Sequence, residues 1–149
     1  MVIKIILIIA GLIGIYEVFR NKNSLIKAIN LIFALSIALE LSGSHYLMRG
    51  SSPLHKLALI LIVVYACVTN LSLKSRLLLL STVLFFLEYL MHYFSLRFSM
   101  ADTLVLFIVF FCYILLLIDF KKNRQETGFI LIMLLLLGIK VYFTIISWH

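Results

Sequence analysis

Glu88 and His92 lie one helical turn apart inside a strongly apolar stretch of the sequence. Residues four apart are neighbours on a helix, so this spacing places a carboxyl group and an imidazole on one face. Ionisable side chains inside an apolar segment are costly in hydrocarbon and are therefore candidates for a functional site. The chemistry that this pair favours is proton exchange, because histidine changes charge near neutral pH.

Other apolar segments carry similar polar stripes at helical spacing. Ser36 and Glu40 share one face of the second segment, Ser81, Glu88, His92 and Ser95 follow one side of the fourth, and Lys140 and Thr144 lie in the sixth. These stripes predict a polar cavity in the outer half of a helical bundle. The predicted lining is Glu40, Glu88, His92, Lys140, Ser36 and Ser95, and the predicted outer rim is His45, Arg49, His55, Arg97 and Asp102.

The elements that must position these residues are long apolar runs. The chain of 149 residues is 64% hydrophobic and only 13% charged, a composition that excludes an ordinary soluble domain. Six runs are each long enough for a membrane-crossing helix. They lie near Val2–Phe19, Leu25–Met48, Leu54–Ser72, Leu77–Phe98, Thr103–Phe120 and Gly128–Trp148. We therefore predict an all-α integral membrane protein, a single polytopic domain over residues 1–149 with no soluble domain.

A weak internal repeat points to three helical hairpins. Tyr16, Tyr65 and Tyr113 recur 49 and 48 residues apart, and Arg49 and Arg97 each follow a glutamate by nine residues. Repeats of this kind are common in transporter folds. Tyrosine and arginine are also ordinary residues at the membrane interface, so the pattern has an interpretation that needs no repeat.

Lysine and arginine are distributed unevenly between the two sides of the predicted bundle. The first, third and fifth connections hold Arg20, Lys22, Lys27, Lys74, Arg76, Lys121, Lys122 and Arg124, whereas the opposite side holds Lys4, Arg49, Lys56 and Arg97. The positive-inside rule then predicts both termini outside the cytoplasm, in a bacterial cytoplasmic membrane. The first segment is expected to be a retained helix, since its apolar run contains no cleavage-like site.

The net charge of +7 does not point to nucleic acid. The positive residues are scattered among short connections and form no basic helix or zinc-finger spacing. Positive charge at membrane borders explains them, so the expected partners are membrane lipids and either further copies of this chain or another membrane protein.

The favoured function is the movement of an ion or small solute, with Glu88, His92 and Lys140 in a proton-linked step and Glu40 along the route. A channel is expected to be a homo-oligomer, because six short helices with bulky side chains leave no wide pore in one subunit. Alternatively, the chain is an accessory or anchor subunit of a larger membrane complex, a role that requires neither transport nor catalysis by its own residues.

Two further alternatives use the same residues. A redox subunit would ligate haem through His45 and His92, with Arg49 and Arg97 at the propionates, or zinc through Glu40, His45, Glu88 and His92. A lipid-modifying enzyme would use Glu88 or His92 as general base and Ser95 or Ser44 as nucleophile. No strong metal or catalytic motif is present in the sequence, so the cofactor stays unassigned and an enzyme ranks below transport.

Overall fold

The computed structural model describes residues 2–43, 45–69, 77–84, 86, 99–120 and 126–146. For residues 45–49, 52, 99–103, 119–120 and 143–146 it describes the backbone alone. Every element in these ranges is a helix, which confirms the all-α prediction there. The helices are α1 (Val2–Arg20), α2 (Ser24–Leu41), α3 (His45–Val68), α4 (described over residues 77–84), α5 (Ser99–Phe120) and α6 (Thr127–Ile146).

Three residues, 21–23, connect α1 to α2. Asn23 is the N-cap of α2, and its side chain accepts a hydrogen bond of 2.9 Å from the Leu25 N–H. Asparagine is favoured at this position because its side chain satisfies one of the free N–H groups of the first turn. This cap makes α2 begin within one residue of the predicted boundary.

The boundary between α2 and α3 differs from the sequence prediction. α2 ends at Leu41 rather than near Met48, and Gly43 then adopts a φ of 68°, a conformation that glycine tolerates and other residues avoid. α3 begins at His45 and continues through Pro53, although proline usually interrupts a helix. The turns before Pro53 pack on α2, where a Cβ atom at Gly50 would lie 3.4 Å from Leu39 Cδ1. This tertiary contact favours helix where the local sequence predicts a break.

Neighbouring helices in the chain are also neighbours in space. α1 packs against α2, α2 against α3, and α5 against α6. Thr82 of α4 shares a hydrogen bond of 3.2 Å with Tyr113 of α5, and residues of α3 and α4 line a common groove. α6 packs back against α1 and closes the bundle. α2 contacts α3 as well as α1, so the predicted hairpins are not separate packing units.

α6 is the most enclosed of the described helices. Phe129, Ile130, Ile132, Met133 and Leu137 are all fully buried, and together they cover a wide arc of its surface. α6 contacts α1, α2 and α5 directly, and it reaches α3 through an edge-to-face contact between Phe129 and Tyr65. The backbones of α3 and α6 do not come into close contact within the described part of the chain. Long side chains fill the space between these two helices.

The outward surface of the bundle is unusually apolar. Large hydrophobic side chains are exposed on all six helices, for example Leu12 and Phe111, each 61% exposed, and Phe19, which is 84% exposed. Continuous exposed stripes follow α1 and α5. Among the described residues, α1 and α2 are long and apolar enough to cross a membrane, with mean hydropathies of 2.4 and 1.8. Shorter apolar stretches occupy Pro53–Val68, Leu104–Ile118 and Thr127–Tyr142.

Candidate functional site

The predicted pair Glu88 and His92 lies outside the described residues, as do Ser95 and Arg97. For His45, Arg49 and Asp102 the backbone is helical and the side chains are not described. The remaining predicted site residues are Ser36, Glu40, His55 and Lys140.

Three of these four residues lie inside the bundle and form a set that we name the Lys140 layer: Ser36, His55 and Lys140. Ser36 of α2 is buried and donates a hydrogen bond of 2.9 Å to the Ser51 carbonyl of α3. His55 packs edge-on against Phe33, with ring centres 5.5 Å apart. Lys140 of α6 is half-buried and close enough to His55 to interact with it electrostatically. The layer therefore joins α2, α3 and α6.

His55 and Glu40 are placed differently from the sequence expectation. His55 was expected at the outer rim, on a helix starting near Leu54, but α3 begins at His45 and places His55 well within the helix. Glu40 was expected to line the route, but it lies in the last turn of α2 and is exposed. His55 is therefore close to Lys140, and Glu40 is exposed at the end of α2.

A second polar set lies at the other end of the bundle, where the α1–α2 turn meets the start of α6. We name it the Glu126 cluster: Glu17, Asn21, Tyr65 and Glu126. The contributing elements are α1, the α1–α2 turn, α3 and the residue before α6. Tyr65 is 5% exposed, and Glu17 and Asn21 are each 4% exposed.

Glu17 is held by groups of its own helix end. Asn21 Nδ2 donates to Glu17 Oε2 at 2.5 Å, and Arg20 Nη2 lies 3.2 Å from Glu17 Oε1. Arg20 also covers the Tyr16 ring, with 5.8 Å between the guanidinium carbon and the ring centre. Both carboxylate oxygens of Glu17 are thus paired, which is the condition for burying a charge at tolerable cost.

The Glu17 side chain packs directly on Gly128 in the first turn of α6. A Cβ atom at Gly128 would overlap Glu17 Cγ and would lie 2.6 Å from Cδ. The free N–H groups and the positive end of the helix dipole at this terminus favour a nearby carboxylate. Glycine at position 128 therefore allows a buried acid from α1 to dock on the start of α6.

Glu126 makes the cross-bundle contact of the cluster. Tyr65 Oη donates a hydrogen bond of 2.7 Å to Glu126 Oε1. Glu126 Oε2 is buried and has no hydrogen-bond partner among the described residues. A buried carboxyl oxygen without a donor is rare in folded proteins and calls for a physical explanation.

Asn30 presents a second buried acceptor without a partner. Its side chain is fully buried, Nδ2 donates to the Ile26 carbonyl at 3.0 Å, and Oδ1 accepts no hydrogen bond from the described residues. Nδ2 is thus held on the preceding turn of α2 itself. Asn30 also packs on α1, since a Cβ atom at Gly14 would lie 3.1 Å from the Asn30 carbonyl oxygen.

The Lys140 layer and the Glu126 cluster lie on one face of α6. Glu126 and Lys140 are fourteen residues apart, which places them on the same side of the helix and about 21 Å apart along its axis. Ile130, Met133 and Leu137 occupy this face between them and are fully buried. An apolar section therefore separates two polar ends along the side of α6 that faces α3.

Apolar grooves lie between the described helices. One of about 330 Å³ lies between α1, α5 and α6 and includes Ile6, Phe110 and Leu135. Another of about 280 Å³ lies between α3 and α4 and includes Ile60 and Phe86. Neither contains a residue of the predicted polar cavity. Within the described residues, no three His, Cys, Asp or Glu side chains are grouped to hold a metal ion.

Sequence reasoning missed the Glu126 cluster because its members are far apart in the chain. Tyr65 and Glu126 are separated by 61 residues, and Glu126 lies in a polar connection that resembles an ordinary loop. A usable signal was present in α1, where Glu17 is a polar residue inside an otherwise apolar run. Gly128 gives no signal by itself, since its role depends on the approach of Glu17.

Comparison of the chain with family models, with curated proteins and with solved structures gives no match. The functional interpretation therefore depends on the geometry of the described residues.

Proposed function

We propose that this chain is an integral membrane protein whose helices cross a lipid bilayer. The observation that supports the proposal is the apolar outward surface of the bundle, together with a few enclosed polar side chains. Large apolar side chains are exposed on all six helices, whereas Lys140, Glu17 and Asn30 are partly or fully enclosed. Monomeric soluble proteins rarely expose apolar patches above a few hundred Å². In a bilayer the same apolar surface faces lipid instead of water, so its exposure is not unfavourable.

Membrane extraction tests this placement. We expect the expressed chain to sediment with membranes, to stay there after an alkaline carbonate wash, and to be released by detergent. The mass of the purified chain should include α1, because a retained helix is not cleaved as a signal peptide would be. Release by carbonate, or a mass that lacks α1, would contradict six-helix insertion.

Within this membrane protein, we propose that the side of α6 that faces α3 is the route of an ion or small solute. The Lys140 layer and the Glu126 cluster supply polar groups at two depths, and charged groups inside a membrane bundle commonly mark ion paths. The sequence predicts that Glu88 and His92 are a proton-exchanging pair in a polar cavity that Lys140 also lines. The buried Ile130, Met133 and Leu137 make this arrangement a closed state, so passage requires the apolar section to open.

The transport proposal is tested by removing the Lys140 charge. In liposomes loaded with a pH-sensitive dye, Lys140→Met should lower proton-linked flux by roughly tenfold or more, since ~1.4 kcal/mol of lost interaction already gives that factor. Lys4→Met is the matched control, because Lys4 is exposed near the start of α1 and contributes to neither polar set. Equal flux in the two variants would remove Lys140 from the route. Wild-type protein that transports nothing and copurifies with another membrane protein would favour the accessory-subunit alternative.

A further inference from the structure

The outward side of α1 and α2 carries a surface that neither polar set uses. On α1, Ile15 and Phe19 are exposed and lie four residues apart, on one face of the helix. On α2, Leu31 is exposed and Lys27 is half-buried, again four residues apart. Lys22 lies between the helices, in the turn, and is exposed. We name these five residues the α1–α2 surface.

The packing of α1 on α2 determines which of these side chains are level with one another. A Cβ atom at Gly14 would lie 3.1 and 3.2 Å from atoms of residues 30 and 34, so Gly14 is level with that turn of α2. The two helices are joined by three residues and run in opposite directions. Five residues beyond Gly14, Phe19 is therefore level with Lys27, and the two aliphatic residues are level one turn deeper.

The exposed charge at this end of the two helices is positive. Lys22 is exposed, Lys27 is half-buried, and the first turn of α2 contains no acidic residue. The acids described at this end face inward: Glu17 is buried and paired with Arg20, and Glu126 turns toward α3. The two lysines therefore present their charge on the outward side, where an anionic partner can reach it.

The apolar part of this side of α1 has the length of a lipid chain. Exposed apolar side chains follow α1 from Ile8 to Phe19, a distance of about 16 Å along the helix axis. Half of a bilayer's hydrocarbon core has a thickness of about 15 Å. A positive group at one end of such a stripe matches a phospholipid, which has a phosphate group above its acyl chains. Lysine is suited to the phosphate, because its ammonium is a compact charge with three hydrogen-bond donors.

We propose that the α1–α2 surface binds an anionic phospholipid, with the phosphate group at Lys22 and Lys27. One acyl chain lies along the three apolar side chains of the surface. The inference rests on the proposed membrane placement and requires no transport. The sequence predicts this end of the helices on the cytoplasmic side, where anionic lipids attract lysine and arginine.

Tryptophan quenching by brominated phospholipids in reconstituted vesicles tests the site. Phe19→Trp in a Trp148→Phe background leaves one tryptophan, placed level with Lys27. Brominated phosphatidylglycerol should bind beside it roughly tenfold more tightly than brominated phosphatidylcholine, since each lysine near an anionic surface contributes about a fivefold preference. The preference should fall at high salt, because salt screens exposed charges.

Charge variants and a second reporter serve as controls. In the Phe19→Trp reporter, Lys22→Gln together with Lys27→Gln should reduce the preference to about twofold or less. Lys4→Gln should leave it unchanged, because Lys4 is exposed near the other end of α1. Ile5→Trp places the reporter at that other end and should show a clearly smaller preference, since Ile5 is exposed and lies away from both lysines.

The outcomes separate this inference from the membrane proposal. Equal binding of the two lipids at Phe19→Trp, an equal preference at Ile5→Trp, or a preference that survives loss of both lysines overturns the lipid site alone. Quenching at Ile5→Trp but not at Phe19→Trp also overturns it, because another protein surface then covers this side of α1. Quenching at neither reporter contradicts the membrane placement, and the lipid site fails with it.

Discussion

Gly128→Ala is expected to destabilise the protein by about 3 kcal/mol, near the upper end of what overpacking a core usually costs. A Cβ atom at this position would overlap Glu17 Cγ. The Glu17 side chain cannot move away without cost, because Asn21 and Arg20 hold its two carboxylate oxygens. Either α1 separates from α6 or the buried hydrogen bonds are lost. The measurement is the apparent melting temperature of the detergent-solubilised protein, which should fall clearly.

Gly138→Ala is the matched control for this substitution. It lies in the same helix, and a Cβ atom there would meet nothing within 4 Å. Alanine is intrinsically better than glycine in a helix by up to about 1 kcal/mol, so this variant should be as stable as wild type or slightly more stable. Equal melting temperatures for Gly128→Ala and Gly138→Ala would mean that Glu17 does not dock on α6 as described. Gly128→Ala combined with Glu17→Ala should recover part of the loss, because the overlapping atoms are then removed.

Met133→Ser is expected to make the liposome-reconstituted protein leak protons, by roughly tenfold over wild type if the barrier falls by ~1.4 kcal/mol. Met133 is fully buried on the face of α6 that joins Glu126 to Lys140, and it lies at the middle of the apolar section between them. Serine removes apolar volume and adds a hydroxyl group, so the space becomes both large and polar enough for water. The measurement is the rate of pH equilibration without a driving solute gradient.

Two controls distinguish leakage along this route from a damaged bundle. Leu134→Ser makes a similar change at the next residue, which is half-buried and lines the apolar groove shared with α1 and α5. It should not raise the leak. Met133→Leu preserves volume and apolar character and should keep the section closed. A leak of the same size in Met133→Ser and Leu134→Ser would show that the apolar section of α6 is not the barrier.

The amino-acid sequence by itself determined that the described chain is helical, where α1 ends, and where α2 and α6 begin. Long apolar runs without turn residues are local signals, and the Asn23 cap of α2 is another. Both can be read from neighbouring residues, without information about residues far away in the chain. The sequence failed at the α2–α3 boundary, where the predicted run started near Leu54 and α3 starts at His45. There α3 packs on α2, with Leu39 beside Gly50, so the boundary depends on contacts between two different helices.

The candidate site shows the same division between local and long-range information. Periodicity identified Ser36 and Lys140 as inward-facing polar residues, because helix faces follow from spacing alone. Only the tertiary structure shows which of these residues meet. It groups Ser36 and Lys140 with His55, docks Glu17 on Gly128, and brings Tyr65 within hydrogen-bond distance of Glu126. Each of these contacts joins different helices, and which helix faces are brought together depends on how the helices pack against one another. Hydrophobic spacing specifies which face turns inward, but it carries no information about which polar group lies opposite.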